Sequence, residues 1–123
     1  MDSQMKVLAD TSIWIDHLRH GNPELSELLE KEAVGTHDFV IGELACGNLS
    51  DRGQFLLDME LLPRTPLVPA REALGFLEMH RLHGRGLGWM DIHLLAAALV
   101  TGASLWTLDK GLHKTAEKLR IAF

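Results

Sequence analysis

Hydrophobic and polar residues alternate along the chain in blocks that predict strands and helices in turn. Residues 6–12 form a short apolar strand that ends in the carboxylate of Asp10, followed by two hydroxyls. Residues 104–108 repeat this pattern and end at Asp109. Short apolar segments bounded by polar residues are typical of buried strands. We predict shorter strands at residues 34–37, 67–68 and 119–123.

Helix signals separate these strands. Asn22, Pro23 and Glu24 are typical of a helix start, since Asn caps the first turn and Pro fits its geometry. Further helices are predicted at residues 39–47, 51–61, 70–82, 89–100 and 112–118. Alternating strands and helices favour right-handed crossovers and a parallel sheet. The pattern therefore predicts an α/β fold in which the strands ending at Asp10 and Asp109 are neighbours.

Length and composition are those of one ordinary globular domain, so we assign residues 1–123 to a single domain. The segment Met1–Met5 has an acidic residue and no apolar run, and we expect no signal peptide. The lone Cys46 cannot form an internal disulfide, which suits a reducing cytoplasm, and we expect it to be a small core residue. The formal net charge of −5 argues against a nucleic-acid partner unless carboxylates are concentrated at one site.

Each of four acidic residues has an ordinary structural explanation when it is considered alone. Asp10 and Asp109 could be turn residues, Asp91 a helix cap, and Glu43 a solvent-exposed or ion-paired side chain. His93 is similarly expected to be a polar residue beside a helix start.

Taken together, the four carboxylates point to a metal site. Two end neighbouring parallel strands, and two lie on short apolar helices that pack beside them, so we expect all four at one edge of the sheet. Each pair of carboxylates about 4 Å apart would repel by roughly 1–4 kcal/mol, which calls for protons or cations. Carboxylate oxygens suit Mg²⁺ or Mn²⁺, and two such ions ~4 Å apart can promote phosphodiester hydrolysis.

The acidic segments resemble those of a known family. Residues 8–12 (LADTS), 41–44 (IGEL), 89–98 (WMDIHLLAAA) and 105–109 (LWTLD) are similar, in order and approximate spacing, to the motifs of PIN-domain nucleases. Within that superfamily the chain looks most like the VapC toxins of toxin–antitoxin pairs. The resemblance covers essentially the whole chain.

The resemblance implies a three-layer α/β/α sandwich with a mainly parallel sheet and a metal-dependent endoribonuclease activity. It also implies a homodimer and inhibition by a small cognate antitoxin. By position, Asp10 and Asp91 match the commonest direct metal ligands, while Glu43 and Asp109 would act directly or through water. The flanking hydroxyls of Thr11, Ser12 and Thr107 could hold a carboxylate or a water. Candidates for contact with RNA phosphates are Arg81, Arg85, Lys110 and His113.

Two other functions remain open at this point. Asp10 could be a phosphorylated nucleophile, although the neighbouring Thr11 and Ser12 replace the acidic residues that usually accompany one. Alternatively, the chain could be a PIN-like module that binds RNA or protein without cutting. A pure binding site has little use for four carboxylates, which disfavours the second alternative.

Overall fold

The structure, a computed structural model, describes residues 5–123 and is built around three short parallel strands. These are β1 (Val7–Ala9), β2 (Val34–Gly35) and β3 (Ser104–Trp106), in the order β2-β1-β3. In the register of the sheet, Leu8 of the central strand lies between Gly35 and Leu105. The strands that precede Asp10 and Asp109 are therefore parallel neighbours, as predicted. The prediction that there is no signal peptide concerns Met1–Met5, and the structure describes only the last of these residues.

The helices of the described chain surround the sheet. They are α1 (Thr11–His20), α2 (Pro23–Glu30), α3 (Asp38–Ala45), α4 (Arg52–Glu60), α5 (Ala70–Met79), α6 (Trp89–Thr101) and α7 (Lys110–Lys118). The side chain of Asn22 accepts a hydrogen bond from Leu25 N, 2.9 Å away, and so caps α2 as predicted. A parallel sheet covered by helices confirms the predicted α/β sandwich. Within residues 5–123, no helix has the length and apolar character needed to cross a membrane.

The core lies where α6 crosses the sheet. All seven residues from Ile92 to Ala98 are buried, as are Leu8 and Leu105 on the central and edge strands. A helix that is apolar on every side is stable in water only when it is covered all round. The helix α6 ends at Gly102, whose backbone (φ +76°) adopts the left-handed conformation that Gly tolerates best.

Among the described residues, one predicted strand is absent, and another forms where it was predicted but is shorter. No strand forms at Leu67–Val68; instead Arg64 forms a parallel bridge to Thr36, which extends β2 by one residue. Prolines at positions 66 and 69 lack the N–H groups that a paired strand needs. The predicted final strand is reduced to one bridge, in which Leu105 N donates to Ile121 O and Phe123 N to Leu105 O (2.7 and 3.0 Å).

Cys46 is exposed, so its prediction as a core residue is wrong. It follows the end of α3, whose buried face is formed by Val40 and Leu44, one turn apart. Cys46 is two positions beyond Leu44 and therefore points away from that face.

Candidate active site at the carboxyl edge of the sheet

Asp10 joins β1 to α1 and is almost completely buried, with 7% of its surface exposed. Its Oδ1 accepts hydrogen bonds from Ser12 N (3.0 Å) and Ile13 N (3.3 Å), which caps the first turn of α1. Backbone N–H groups at a helix start stabilise a negative charge. The strand-to-helix turn thus holds the carboxylate in one orientation at the edge of the sheet.

Asp109 occupies the equivalent turn between β3 and α7. Its Oδ1 accepts from Leu112 N at 2.9 Å and caps α7, while its own N–H donates to Thr107 Oγ1 at 3.0 Å. Because β1 and β3 are paired in parallel, their two following turns lie side by side. Asp10 and Asp109 therefore occupy the same kind of strand-to-helix turn, and each caps the helix that follows.

The hydroxyl of Ser12 connects these two turns. It donates to Asp10 Oδ1 at 2.5 Å and accepts from Leu108 N at 2.9 Å. It also lies 3.5 Å from Thr107 Oγ1, which in turn binds the backbone of Asp109. Ser12 and Thr107 thus fix the two acidic turns relative to each other. Thr11 does not share this role, since its buried Oγ1 has no hydrogen-bond partner within residues 5–123.

Asp91 lies in the first turn of α6, and its Oδ2 accepts from Gly88 N at 3.0 Å. Burial is the main cause that raises the pKa of Asp91, and the negative charges of Asp109 and Asp10 raise it further. The hydrogen bond from Gly88 acts in the opposite direction but is outweighed. The structure therefore brings Asp10, Asp91 and Asp109 within electrostatic reach of one another.

These three carboxylates supply oxygen donors of the kind that Mg²⁺ and Mn²⁺ prefer. Among the described residues, hydrogen bonds engage only one oxygen of each, and no Lys, Arg or His forms an ion pair with them. The second oxygen of each is left available. Within residues 5–123, the side chains are not arranged so that three or more His, Cys, Asp or Glu residues could together hold a metal ion. Mg²⁺ needs only one or two carboxylates and retains several waters, so the donors present fit it.

Glu43 lies on α3, on a different element from the three aspartates. Its side chain is exposed and makes no hydrogen bond or ion pair within the described chain. It lines a surface groove with Phe39 of α3 and with Trp89 and Met90 of α6. Trp89 and Met90 directly precede Asp91 in α6, so Glu43 shares the groove with the helix start that carries Asp91.

The cationic candidates are spread over two regions. Arg81 and Arg85 are exposed in the loop after α5, where Arg85 Nε donates to Arg81 O at 3.0 Å. Lys110 is exposed at the start of α7, directly after Asp109. His113 Nε2 lies 3.4 Å from Glu117 Oε2. Of the four, Lys110 is nearest in the chain to an acidic turn.

A buried histidine pair beneath the groove was not predicted from the sequence. His37 is fully buried at the start of α3, where its Nδ1 accepts from Phe39 N at 2.9 Å, and burial lowers its pKa to about 4. His93, one turn after the start of α6, is also buried. Its ring lies against Phe39 and Trp89, with centroids 4.8 and 4.7 Å away. The one available signal was the i, i+4 spacing of Trp89 and His93.

Comparison with known proteins agrees with this geometry. A model of the PIN domain matches residues 7–118, and the chain therefore belongs to the PIN-domain family. Over 107 residues it is 46% identical to ribonuclease VapC32 of Mycobacterium tuberculosis, in strains CDC 1551 / Oshkosh and ATCC 25618 / H37Rv, covering 86% of each chain. The family resemblance stated from the motifs is thus confirmed.

Solved structures support the fold alone. The crystal structure of PAE2754 from Pyrobaculum aerophilum matches with a TM-score of 0.62 and 17% identity, covering 96% of this chain and 88% of that one. FitAB bound to an IR36 DNA fragment matches with a TM-score of 0.62 and 18% identity, covering 90% of both chains.

Proposed function

We propose that this protein is a metal-dependent endoribonuclease and the toxin of a type II toxin–antitoxin pair. The observation that carries the proposal is the group of three carboxylates, uncompensated by any cation of the described chain, beside two joined strand-to-helix turns. The 46% identity to a ribonuclease gives the substrate class. Carboxylates held close together without a cationic partner favour a divalent cation over any neutral ligand.

The cation would be Mg²⁺ or Mn²⁺, held directly by Asp10 and Asp91, with Asp109 and Glu43 acting directly or through water. When bound, it lowers the pKa of a water molecule and offsets negative charge on the phosphodiester. The turn after β1 orients Asp10 through backbone N–H groups, and Ser12 keeps it in register with the turn of Asp109. Lys110, next to that turn, would contact the RNA backbone, with Arg81, Arg85 and His113 as outer contacts.

The test compares wild type with Asp10→Asn on total RNA in the presence of Mg²⁺, Mn²⁺ or a chelator, and maps the cut ends. Asn retains an oxygen that can cap α1, so the fold is expected to persist. Loss of an outer partner of a metal ligand typically costs about 10–100-fold, and loss of a ligand is expected to cost more. A chelator should stop wild-type cleavage.

The matched control is Asp51→Asn, because Asp51 is exposed and its side chain makes no capping hydrogen bond to α4. This variant should cleave as wild type does. Full metal-dependent activity in purified Asp10→Asn would show that the proposal is wrong.

The partner proposals rest on the relationship to VapC proteins. We infer a homodimer, to be measured by light scattering, and a cytoplasmic antitoxin encoded by a small neighbouring gene. Co-expression of that gene should abolish growth inhibition by this chain. Toxicity that is unaffected by the neighbour would contradict the antitoxin proposal.

A further inference from the structure

Trp89 presents an aromatic ring to solvent beside the acidic cluster. It is the first residue of α6 and is 43% exposed. Its ring lines the groove between α3 and α6, a depression of about 350 Å³ that also includes Phe39, Glu43 and Met90. An exposed Trp in a concave site is available to bind a flat ligand.

The buried side chain of His93 packs against the Trp89 ring and holds its orientation. The indole meets the imidazole of His93 edge to face, with centroids 4.7 Å apart and an interplanar angle of 89°. His93 is itself only 3% exposed and lies 4.8 Å from the ring of Phe39. A side chain that is already ordered loses little rotamer freedom on binding, which favours affinity.

The groove and the acidic cluster share the first turn of α6, where Trp89 and Met90 line the groove and Asp91 belongs to the cluster. Trp89 precedes Asp91 by two residues, so their backbones are a rise of ~3 Å apart along the helix axis while their side chains leave the helix on different sides. The carboxylate of Asp91 bends back to Gly88 N, the residue before Trp89, at 3.0 Å. A ligand on the indole would therefore lie beside the helix start that carries Asp91, on a different side of the helix from its carboxylate.

The chemistry of the groove selects a base rather than a phosphate. Its lining within the described chain has two carboxylates and neither Lys nor Arg. Asp38 is paired with Arg64 outside the lining, at 3.0 Å, while Glu43 has no ion pair among the described residues. Carboxylates repel a phosphate, whereas a nucleobase is neutral, has a face that stacks on indole, and carries N–H donors at its edge.

We propose that Trp89 is a stacking platform for an unpaired base of the RNA substrate, in the groove that flanks the acidic cluster. The identity of the ligand as RNA rests on the proposed function. Trp89 would then help to determine where the RNA strand is held. Only a base that is unpaired can reach the indole, so the RNA must be single-stranded at that position.

The experiment measures binding of a labelled single-stranded oligoribonucleotide with Ca²⁺ in place of Mg²⁺. Its sequence is taken from a mapped cleavage site or, if the wild type does not cut, from an RNA that it retains. Trp89→Leu removes the aromatic face and is expected to weaken binding by about fivefold to 140-fold. Trp89→Phe keeps a face and should retain most of the affinity. Because stacking involves no counterion release, the factor lost should be the same at low and high salt.

A second arm replaces each base of the oligonucleotide in turn by an abasic residue. At one position the wild type should lose the same factor that Trp89→Leu loses, and the combination should cost no more than either change alone. Leu61→Ala, at a residue that is 83% exposed outside the groove, is the matched control. Thermal unfolding of every variant shows that the fold persists.

The outcomes separate this proposal from the nuclease activity. If the wild type cleaves RNA and Trp89→Leu binds and cuts equally well, stacking is wrong and the nuclease function stands. If the wild type binds RNA with these Trp89 and abasic effects but never cuts, stacking stands and the nuclease function is wrong. If Trp89→Leu impairs only inhibition by a protein partner, the groove is a protein-docking surface and the proposal fails. Absence of any RNA binding by the wild type overturns both.

Discussion

Removal of the Ser12 hydroxyl is the most direct perturbation of the candidate active site. In the wild type, Ser12 Oγ donates to Asp10 Oδ1 at 2.5 Å and accepts from Leu108 N at 2.9 Å. Ser12→Ala deletes both hydrogen bonds and creates little empty space. The two acidic turns would then be held together only by the pairing of their strands.

The size of the effect follows from the partners of the hydroxyl. A hydrogen bond to a charged group contributes about 1.5–3 kcal/mol and a neutral one about 0.5–1.5 kcal/mol. Leu108 is exposed, so its N–H regains water, and Asp10 keeps its backbone donors Ser12 N and Ile13 N. We therefore expect the free energy of unfolding to fall by about 2 kcal/mol. With an unfolding entropy of about 2.1 cal/mol/K per residue, this lowers the Tm by about 8 °C.

The assay combines thermal and denaturant unfolding with metal-dependent RNA cleavage. Cleavage is expected to fall by about 10–100-fold, since Ser12 orients a metal ligand. The matched control is Ser26→Ala, an exposed position on α2 whose hydroxyl makes no hydrogen bond within the described chain. If Ser12→Ala stays within about 0.5 kcal/mol of wild type, like an ordinary surface substitution, and cleaves normally, the coupling of the two turns through this hydroxyl is refuted.

Two further predictions concern pH. Because the folded pKa of Asp91 is raised, its protonated form contributes stability that is present in acid and lost as pH rises through that pKa. Asp91→Asn, still able to accept from Gly88 N, should therefore raise the metal-free Tm at pH 7, with no gain in acid. The pKa of His37 is lowered to about 4, so its contribution is present above pH ~6.5 and lost as pH falls through about 4. Between pH 7 and pH 4, denaturant titrations should show that wild type loses about 3 kcal/mol more than His37→Asn, whose amide oxygen can replace Nδ1 as acceptor for Phe39 N.

Each pH prediction has its own contrary result. A metal-free Tm of Asp91→Asn at or below that of wild type at pH 7 would mean that burial and the neighbouring negative charges do not raise the pKa of Asp91 in the folded protein. Equal acid sensitivity in wild type and His37→Asn would mean that His37 titrates normally in the folded protein.

The local pattern of the sequence determined most of the secondary structure and the fold class. The strands before Asp10 and Asp109, and the long apolar helix before Gly102, follow from short-range periodicity and end signals. These features depend on residues no more than four or five positions apart, which a single sequence displays directly. The family motifs likewise lie within continuous segments, so the PIN-domain assignment was accessible before the structure.

Features that depend on which face of an element is covered could not be predicted. Cys46 is exposed, contrary to expectation, and the burial of His93 was not predicted, because a residue near a helix end has no periodic pattern on one side. Only the packing of α3 against α6 decides which of these side chains meets solvent.

The sequence by itself thus determined that the chain has strands ending in carboxylates and which family it belongs to. The tertiary structure decided how the carboxylates are held. The hydroxyl of Ser12 binds the backbone of Leu108, 96 positions away, because the parallel register of β1 and β3 brings their following turns together. A contact of that kind results from the pairing of distant strands, and no local pattern in either segment records it.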